Sequence, residues 1–153
     1  AYNIEDPGYP ILTAGADIDD STEIDASQKL ASTDGRSPTN IITSTFSDEL
    51  ALSSNGEAKI FAVSVKDRGA VTLAGHAGKA FWFSKSAGVF ITSSYYYDSY
   101  PDWVNDWNAK QSPRRYADGA WELLHDRAGY QFGDADDQPW ERDMVGFGRT
   151  FPH

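Results

Sequence analysis

The chain has no cysteine and a single methionine, and its 153 residues carry only 13 basic side chains against 23 acidic ones. Without cysteine there is no disulfide scaffold, no thiolate nucleophile and no Cys-ligated zinc. The shortage of cations leaves a formal net charge of -10. That balance argues against sequence-independent nucleic-acid binding, which needs a broad basic surface to displace counterions from phosphates. No stretch is long and apolar enough to read as a membrane span, and none reads as a signal peptide. There is no internal repeat, no phosphate-cradling P-loop and no G-x-S-x-G elbow. The chain starts at Ala1 without a methionine and stops at His153 just after Thr150-Phe151-Pro152, which reads as a processed or partial polypeptide. What is present suffices for one domain with a core, since 40% of the residues are apolar and 14% aromatic.

Residues 1–36 hold Pro7-Gly8, Gly15, Gly35 and the acidic cluster Asp17, Asp19, Asp20, Glu23 and Asp25 without a sustained period. This reads as a mostly irregular acidic segment. Ser37-Pro38 reads as a helix start, because serine caps free backbone donors and proline at the first helical position gives up no hydrogen bond. The spacing Ile42, Phe46, Leu50 predicts one buried stripe on that helix, ending at Asn55-Gly56. Residues 59–65 read as a strand, apolar on both faces as in a covered parallel sheet. Residues 70–78 are too small-residued to supply much core. Ala80–Phe83 and Val89–Thr92 predict a β-hairpin with Gly88 at the turn. Pro101 opens a short helix with Trp103 and Trp107 on one face, and a second helix is expected around residues 116–125 with Trp121, Leu123 and Leu124 inward. From 126 onward the chain reads as loops with at most one short strand.

Lys66-Asp67-Arg68-Gly69 follows the strand directly. Open α/β sheets bind ligands at the carboxyl ends of their strands. In extended chain, Lys66 and Arg68 fall on the same side and can grip one anion; the bland alternative is a solvated loop. Other constellations are weaker. An EF-hand register starting at Asp17 puts Thr22 at the turn-glycine position and Gln28 where the bidentate glutamate belongs, so a solvated acidic loop is the better reading. His76, His125 and His153 are too scattered for a metal motif. Trp82, Tyr95, Tyr96, Tyr97, Trp103 and Trp107 would make a sugar-stacking platform if exposed together, and core or rim packing otherwise. No hydroxyl sits beside an evident activating base.

Several stretches resemble the central part of bacterial members of the alkaline phosphatase superfamily, the branch of phosphomonoesterases with a threonine nucleophile, related to type I phosphodiesterases and nucleotide pyrophosphatases. They are Gly35-Arg36-Ser37-Pro38, Thr45-Phe46-Ser47-Asp48-Glu49-Leu50, residues 63–70, Ala74-Gly75-His76, Ala80–Phe83, residues 92–96, Pro101–Val104 and residues 146–153, in family order. The resemblance implies a phosphate-ester hydrolase with two zinc ions, in which Lys66 and Arg68 contact the non-bridging oxygens of the phosphoryl group. It implies that Asp67 orients their loop and that His76 supports it. A monoester dianion has an oxygen that a diester lacks, so added positive charge there favours monoesters. The family's nucleophile and zinc ligands have no counterpart in the matched part, and no Ser-Asp-His-Gly segment is found. No nucleophile and no metal ligand are therefore assigned to this chain.

The expectation is an α/β fold: part of an alkaline-phosphatase-like sheet sandwiched by helices, with a β-hairpin and loop insertion. Residues 1–36 form the irregular segment and residues 37–153 the central part of one incomplete catalytic domain. The parent is expected to be a metal-dependent phosphate-monoester hydrolase acting on a small phosphate ester, and this piece is inactive without the remainder of the polypeptide. A phosphodiesterase or nucleotide pyrophosphatase of the same superfamily, or a non-catalytic ligand-binding module, are the alternatives. Periplasmic or secreted placement follows from the resemblance alone.

Overall fold

The computed structural model describes residues 3–12, 35–85, 87–142 and 148–152. Strand β1 (Glu5–Pro10) pairs antiparallel with the two-residue β2 (Gly35–Arg36) through an irregular register, Glu5 opposite Arg36 and Pro10 opposite Gly35. The irregular segment expected over residues 1–36 therefore holds a strand at its start. The acidic cluster lies outside the described residues.

Helix α1 (Phe46–Ser53) starts eight residues later than Ser37-Pro38 predicts. Its cap is Thr45, in a capping box with Asp48: the Asp48 amide donates to Thr45 Oγ1 at 3.2 Å, and the Thr45 amide donates to Asp48 Oδ2 at 2.8 Å. Ser37 caps nothing. Its hydroxyl donates to Asp6 Oδ2 at 2.6 Å, tying the turn back to β1. Ile42 and Thr43 stay outside the helix, consistent with the restricted rotamers of β-branched side chains there. The predicted buried stripe is also overturned. Ile42, Phe46 and Leu50 are 101%, 83% and 41% exposed.

Strand β3 (Phe61–Ser64), helix α2 (Asp67–Ala74) and strand β4 (Lys79–Ser84) form a parallel βαβ unit with Phe61 opposite Lys79 and Ser64 opposite Trp82. Strand β5 (Val89–Ile91) returns antiparallel through the expected hairpin, with Gly88 at φ 71°. The sheet order is β3-β4-β5. Directly paired residues share a face, so Ala62, Ala80, Trp82 and Ile91 project to one side. There they join Ala70, Val71 and Ala74 of α2, together with Ile4, Ile41 and Tyr96, in the core cluster. Small residues in α2 are therefore core, contrary to expectation, because alanines let the helix lie close to the sheet.

The other face is covered unevenly. Phe81 is buried beside Tyr97 and Trp103, with ring centroids 5.5 and 5.3 Å apart. Phe61 and Val63 of β3 are 53% and 57% exposed, so this strand is an open edge rather than buried on both faces. Helix α3 (Asp102–Ala109) begins after Pro101 as expected and buries Val104. Its Asn108 side chain accepts from the Phe90 amide at 2.9 Å and donates to the Phe90 carbonyl at 2.8 Å, occupying the outer edge of β5 as a further strand would.

The chain divides into two compact units, 1–112 and 113–153. The second is built from 3-10 turns at Ser112–Tyr116, Arg127–Gly129 and Gly133–Ala135. The helix expected around 116–125 does not form, and Trp121 and Leu124 are exposed. An ion pair from Arg127 to Asp136 at 2.8 Å organises this unit, with Arg127 also donating to the Phe151 carbonyl at 3.3 Å. No described helix is long and apolar enough to cross a membrane.

The open face gives a direct test. In the isolated chain, replacing Phe61 by Ser together with Val63 by Thr is expected to reduce binding of the dye ANS. It should change the unfolding free energy in urea by no more than about 1 kcal/mol, because neither side chain is buried.

Candidate functional site

The site is built where β3 ends. Lys66 is the N-cap of α2 in extended conformation, and Asp67 and Arg68 open the helix. The same-side argument for extended chain therefore fails, because Arg68 is already helical. What brings the two cations to one place is the helix start. Backbone donors of a first turn carry partial positive charge and favour an anion. Lys66, Asp67, Arg68 and Gly69 line an open depression with Ser64, Val65 and Thr72. Lys66 is exposed and Arg68 half-buried.

Asp67 is buried beneath this surface. Its Oδ2 accepts from Nε of Arg36 at 2.6 Å, and its Oδ1 accepts from the Arg68 amide at 2.6 Å. Arg36 is only 1% exposed, and it also donates from Nη1 to the Gly35 carbonyl at 3.0 Å. The Ser93 hydroxyl donates to the Arg36 carbonyl at 2.5 Å. Gly35 is needed here: a Cβ would lie 1.7 Å from the Asp6 carbonyl oxygen, so any side chain would push β1 away. Asp6 accepts from Ser37 and Thr39 hydroxyls, each at 2.6 Å, and these bonds hold its carboxyl below the usual range. Sequence reading named Arg36 only as part of a motif and missed its role as the partner of Asp67. A lone arginine 31 residues upstream in sequence carries no local signal of that pairing.

His76 lies past the far end of α2, which is eight residues long, about 12 Å at 1.5 Å per residue. It does not support the Lys66 loop. Its Nδ1 is 2.9 Å from Asp48 Oδ2, and its amide donates to Asp48 Oδ1 at 2.7 Å. The Ala77 amide adds a bond of 3.0 Å to Asp48 Oδ1. Burial pushes the Asp48 carboxyl up, but His76 and the amides of Thr45, Ala77 and His76 outweigh it and hold the group well below the ordinary carboxylate range. Asp48 thus ties the start of α1 to the end of α2. Gly75 makes the approach possible at φ 62°, where a Cβ would meet Thr45 Oγ1 at 2.1 Å.

The aromatic platform does not assemble. Trp82 and Tyr96 are 1% and 2% exposed and belong to the core, while Trp103 and Trp107 are half-exposed on α3. His125 donates its amide to the Tyr130 hydroxyl, and His153 is outside the described residues. Among the described residues no three His, Asp or Glu side chains converge on a point that would hold a metal ion.

No protein-family model matches the chain. It is 40% identical over 119 residues to the alkaline phosphatase PhoV of Synechococcus elongatus, covering 76% of this chain and 22% of that protein. To the alkaline phosphatase PafA of Elizabethkingia meningoseptica it is 38% identical over 120 residues, covering 76% of this chain and 22% of PafA. The crystal structure of a PafA variant matches with a TM-score of 0.75 at 30% identity, over 97% of this chain and 26% of that one. The variant carries substitutions at a threonine, an asparagine, and a lysine and an arginine two positions apart. The chain thus spans about a fifth to a quarter of the length of the relatives it matches.

The Asp48 arrangement sets an acid limb of stability. Its folded pKa lies below the unfolded value of 3.8, so its contribution is full above that value and is lost as pH falls toward the folded pKa. In urea unfolding at a series of pH values, Asp48→Asn should be less stable than the parent chain at pH 7. The gap should narrow as pH falls below about 4, where protonation removes the advantage of the carboxylate in the parent chain. A gap that stays constant down to pH 2 would contradict the assignment.

Proposed function

This chain belongs to the alkaline phosphatase superfamily, and from that premise we propose that its parent protein hydrolyses phosphate monoesters, with Lys66 and Arg68 gripping the phosphoryl oxygens. The observation that carries the reading is the placement of both cations at the start of α2, directly after parallel strand β3. Helix donors, a lysine and an arginine then act on one anion. In a protein with net charge -10, such local positive charge is matched to a small dianion rather than to a polyanion. The spacing of Lys66 and Arg68 equals that of the lysine and arginine replaced together in the PafA variant, which supports treating them as a functional pair.

The chemistry of selection follows from charge. A phosphate monoester brings two negative charges and three non-bridging oxygens to the site; a diester brings one charge and two such oxygens. Two cations therefore stabilise the monoester transition state more. The family resemblance implies two zinc ions. The described residues offer no cluster that fits as their site, so their ligands are assigned to residues outside the described part. Residues 37–153 are read as the central part of the catalytic domain, and the remainder of the parent polypeptide as its covering partner. The exposed Phe46, Leu50, Phe61 and Val63 support that reading. A periplasmic or secreted location goes with the same family reading.

The full-length parent is expected to hydrolyse p-nitrophenyl phosphate at alkaline pH and to lose that activity to a chelator. Lys66→Ala and Arg68→Ala should each lower kcat/KM for this monoester by about 10²-fold, with a much smaller loss for bis-p-nitrophenyl phosphate. Equal losses on both substrates would remove the assigned role. A parent that prefers the diester would instead establish the phosphodiesterase reading.

A further inference from the structure

We propose that Arg36 is a positioning residue that keeps the Asp67 carboxylate turned away from the phosphate grip, so that Lys66 and Arg68 meet the substrate as two cations. The inference rests on the reading of Lys66 and Arg68 as that grip. Asp67 stands between them in sequence, and its charge is opposite to theirs. A carboxylate in that position competes with phosphate for the same two partners and repels the incoming dianion. In the structure both of its oxygens are engaged elsewhere: Arg36 holds Oδ2 at 2.6 Å and the Arg68 amide holds Oδ1 at 2.6 Å.

The pair is built for this geometry. Arg36 arrives on β2, a strand remote in sequence, and its side chain is 2% exposed. Its backbone is fixed on both sides: the Gly35 close approach to Asp6 precedes it, and the Ser37 amide donates to the Ile4 carbonyl at 2.9 Å after it. Ser93 holds its carbonyl. A buried ion pair is a poor device for stability alone, since well-packed apolar side chains of similar volume do as well or better. What apolar residues cannot do is neutralise Asp67 in place. The pairing also leaves the aspartate at the first turn of α2, where a negative charge suits the helix and its Oδ1 satisfies a backbone donor. Arg36 thereby fixes the helix start and the net charge it presents.

The test uses the full-length parent, with p-nitrophenyl phosphate and bis-p-nitrophenyl phosphate as substrates and inorganic phosphate as inhibitor. Arg36→Met is expected to lower monoester kcat/KM by about tenfold or more, to weaken phosphate inhibition in parallel, and to change the diester rate by less than about threefold. The double variant Arg36→Met with Asp67→Asn should recover most of the monoester loss, because the carboxylate left without a counter-ion is gone. A purely structural role predicts the opposite: the double variant as impaired as the single one, with both substrates affected alike. That result overturns the proposal. Where Arg36→Met does not fold, Arg36→Lys decides. It keeps a cation beside Asp67 and should retain the parental monoester-to-diester ratio, and a folded Arg36→Lys enzyme with the ratio of Lys66→Ala also overturns it. Lys66→Ala in the same assay separates the two readings. If it leaves the ratio unchanged, the grip itself is wrong. If it lowers the ratio while every Arg36 variant keeps it, only the role of Arg36 falls.

Discussion

The buried ion pair between Arg36 and Asp67 is the constraint on which the arrangement of this chain depends. It joins β2, of the two-stranded sheet, to the first turn of α2, the helix that follows edge strand β3 of the other sheet, through side chains 31 residues apart in sequence. Leaving either charge buried without its partner is far more costly than the pair is stabilising, so the two elements are held in one relation. Everything upstream serves to deliver Arg36: Gly35 allows β1 to approach, and Asp6 gathers Ser37 and Thr39 around the turn. On the other side of the pair stands the βαβ unit, whose helix starts at Asp67.

A second polar node does for the far end of α2 what the ion pair does for its start. Asp48 accepts from the Thr45, His76 and Ala77 amides and meets His76 Nδ1. Of the eight residues of α2 only Ala70, Val71 and Ala74 add apolar side chains to the core, so it has little buried surface with which to anchor itself. It is anchored at both ends by carboxylates instead, and its small residues let it press Ala70, Val71 and Ala74 against Trp82 and Ile91. Precise ends matter more than a large buried area when the function of a helix is to aim its first turn at a ligand.

The parts of this arrangement legible in the sequence were those set by local rules. Two short apolar runs and a turn glycine gave the hairpin of β4 and β5, Pro101 gave the start of α3, and the apolar run gave β3 with a cation pair after it. Local rules also misled where two of them competed. Ser37-Pro38 and Thr45 with Asp48 are both helix-start signals; the second forms the cap because Asp6 takes the Ser37 hydroxyl into a tertiary contact. The stripe of Ile42, Phe46 and Leu50 has the right period but stays largely exposed among the described residues, and period alone cannot tell a buried face from one awaiting its cover. The resemblance implied that His76 supports the cation loop, but an eight-residue helix separates it from Lys66. Arg36 was invisible as a partner because an ion pair across 31 residues has no periodic signature.

The open face and the site are consequences of one placement. β3 is the edge strand of the sheet, with Phe61 and Val63 uncovered, and the cation pair follows at its carboxyl end. In α/β sheets a ligand crevice forms where loops from adjacent strands part, so an edge strand by itself supplies only one wall of such a crevice. This chain supplies the wall that carries positive charge. A strand laid parallel along the outer edge of β3 would cover backbone groups that no described strand pairs, and its own carboxyl end would fall beside Lys66 and Arg68. On the proposed function, the groups that would cut an ester bond are therefore best placed on neighbouring strands of the same sheet. On the proposed function, that division accounts for a segment about a quarter as long as the solved relative it matches carrying the proposed anion grip without an assigned nucleophile.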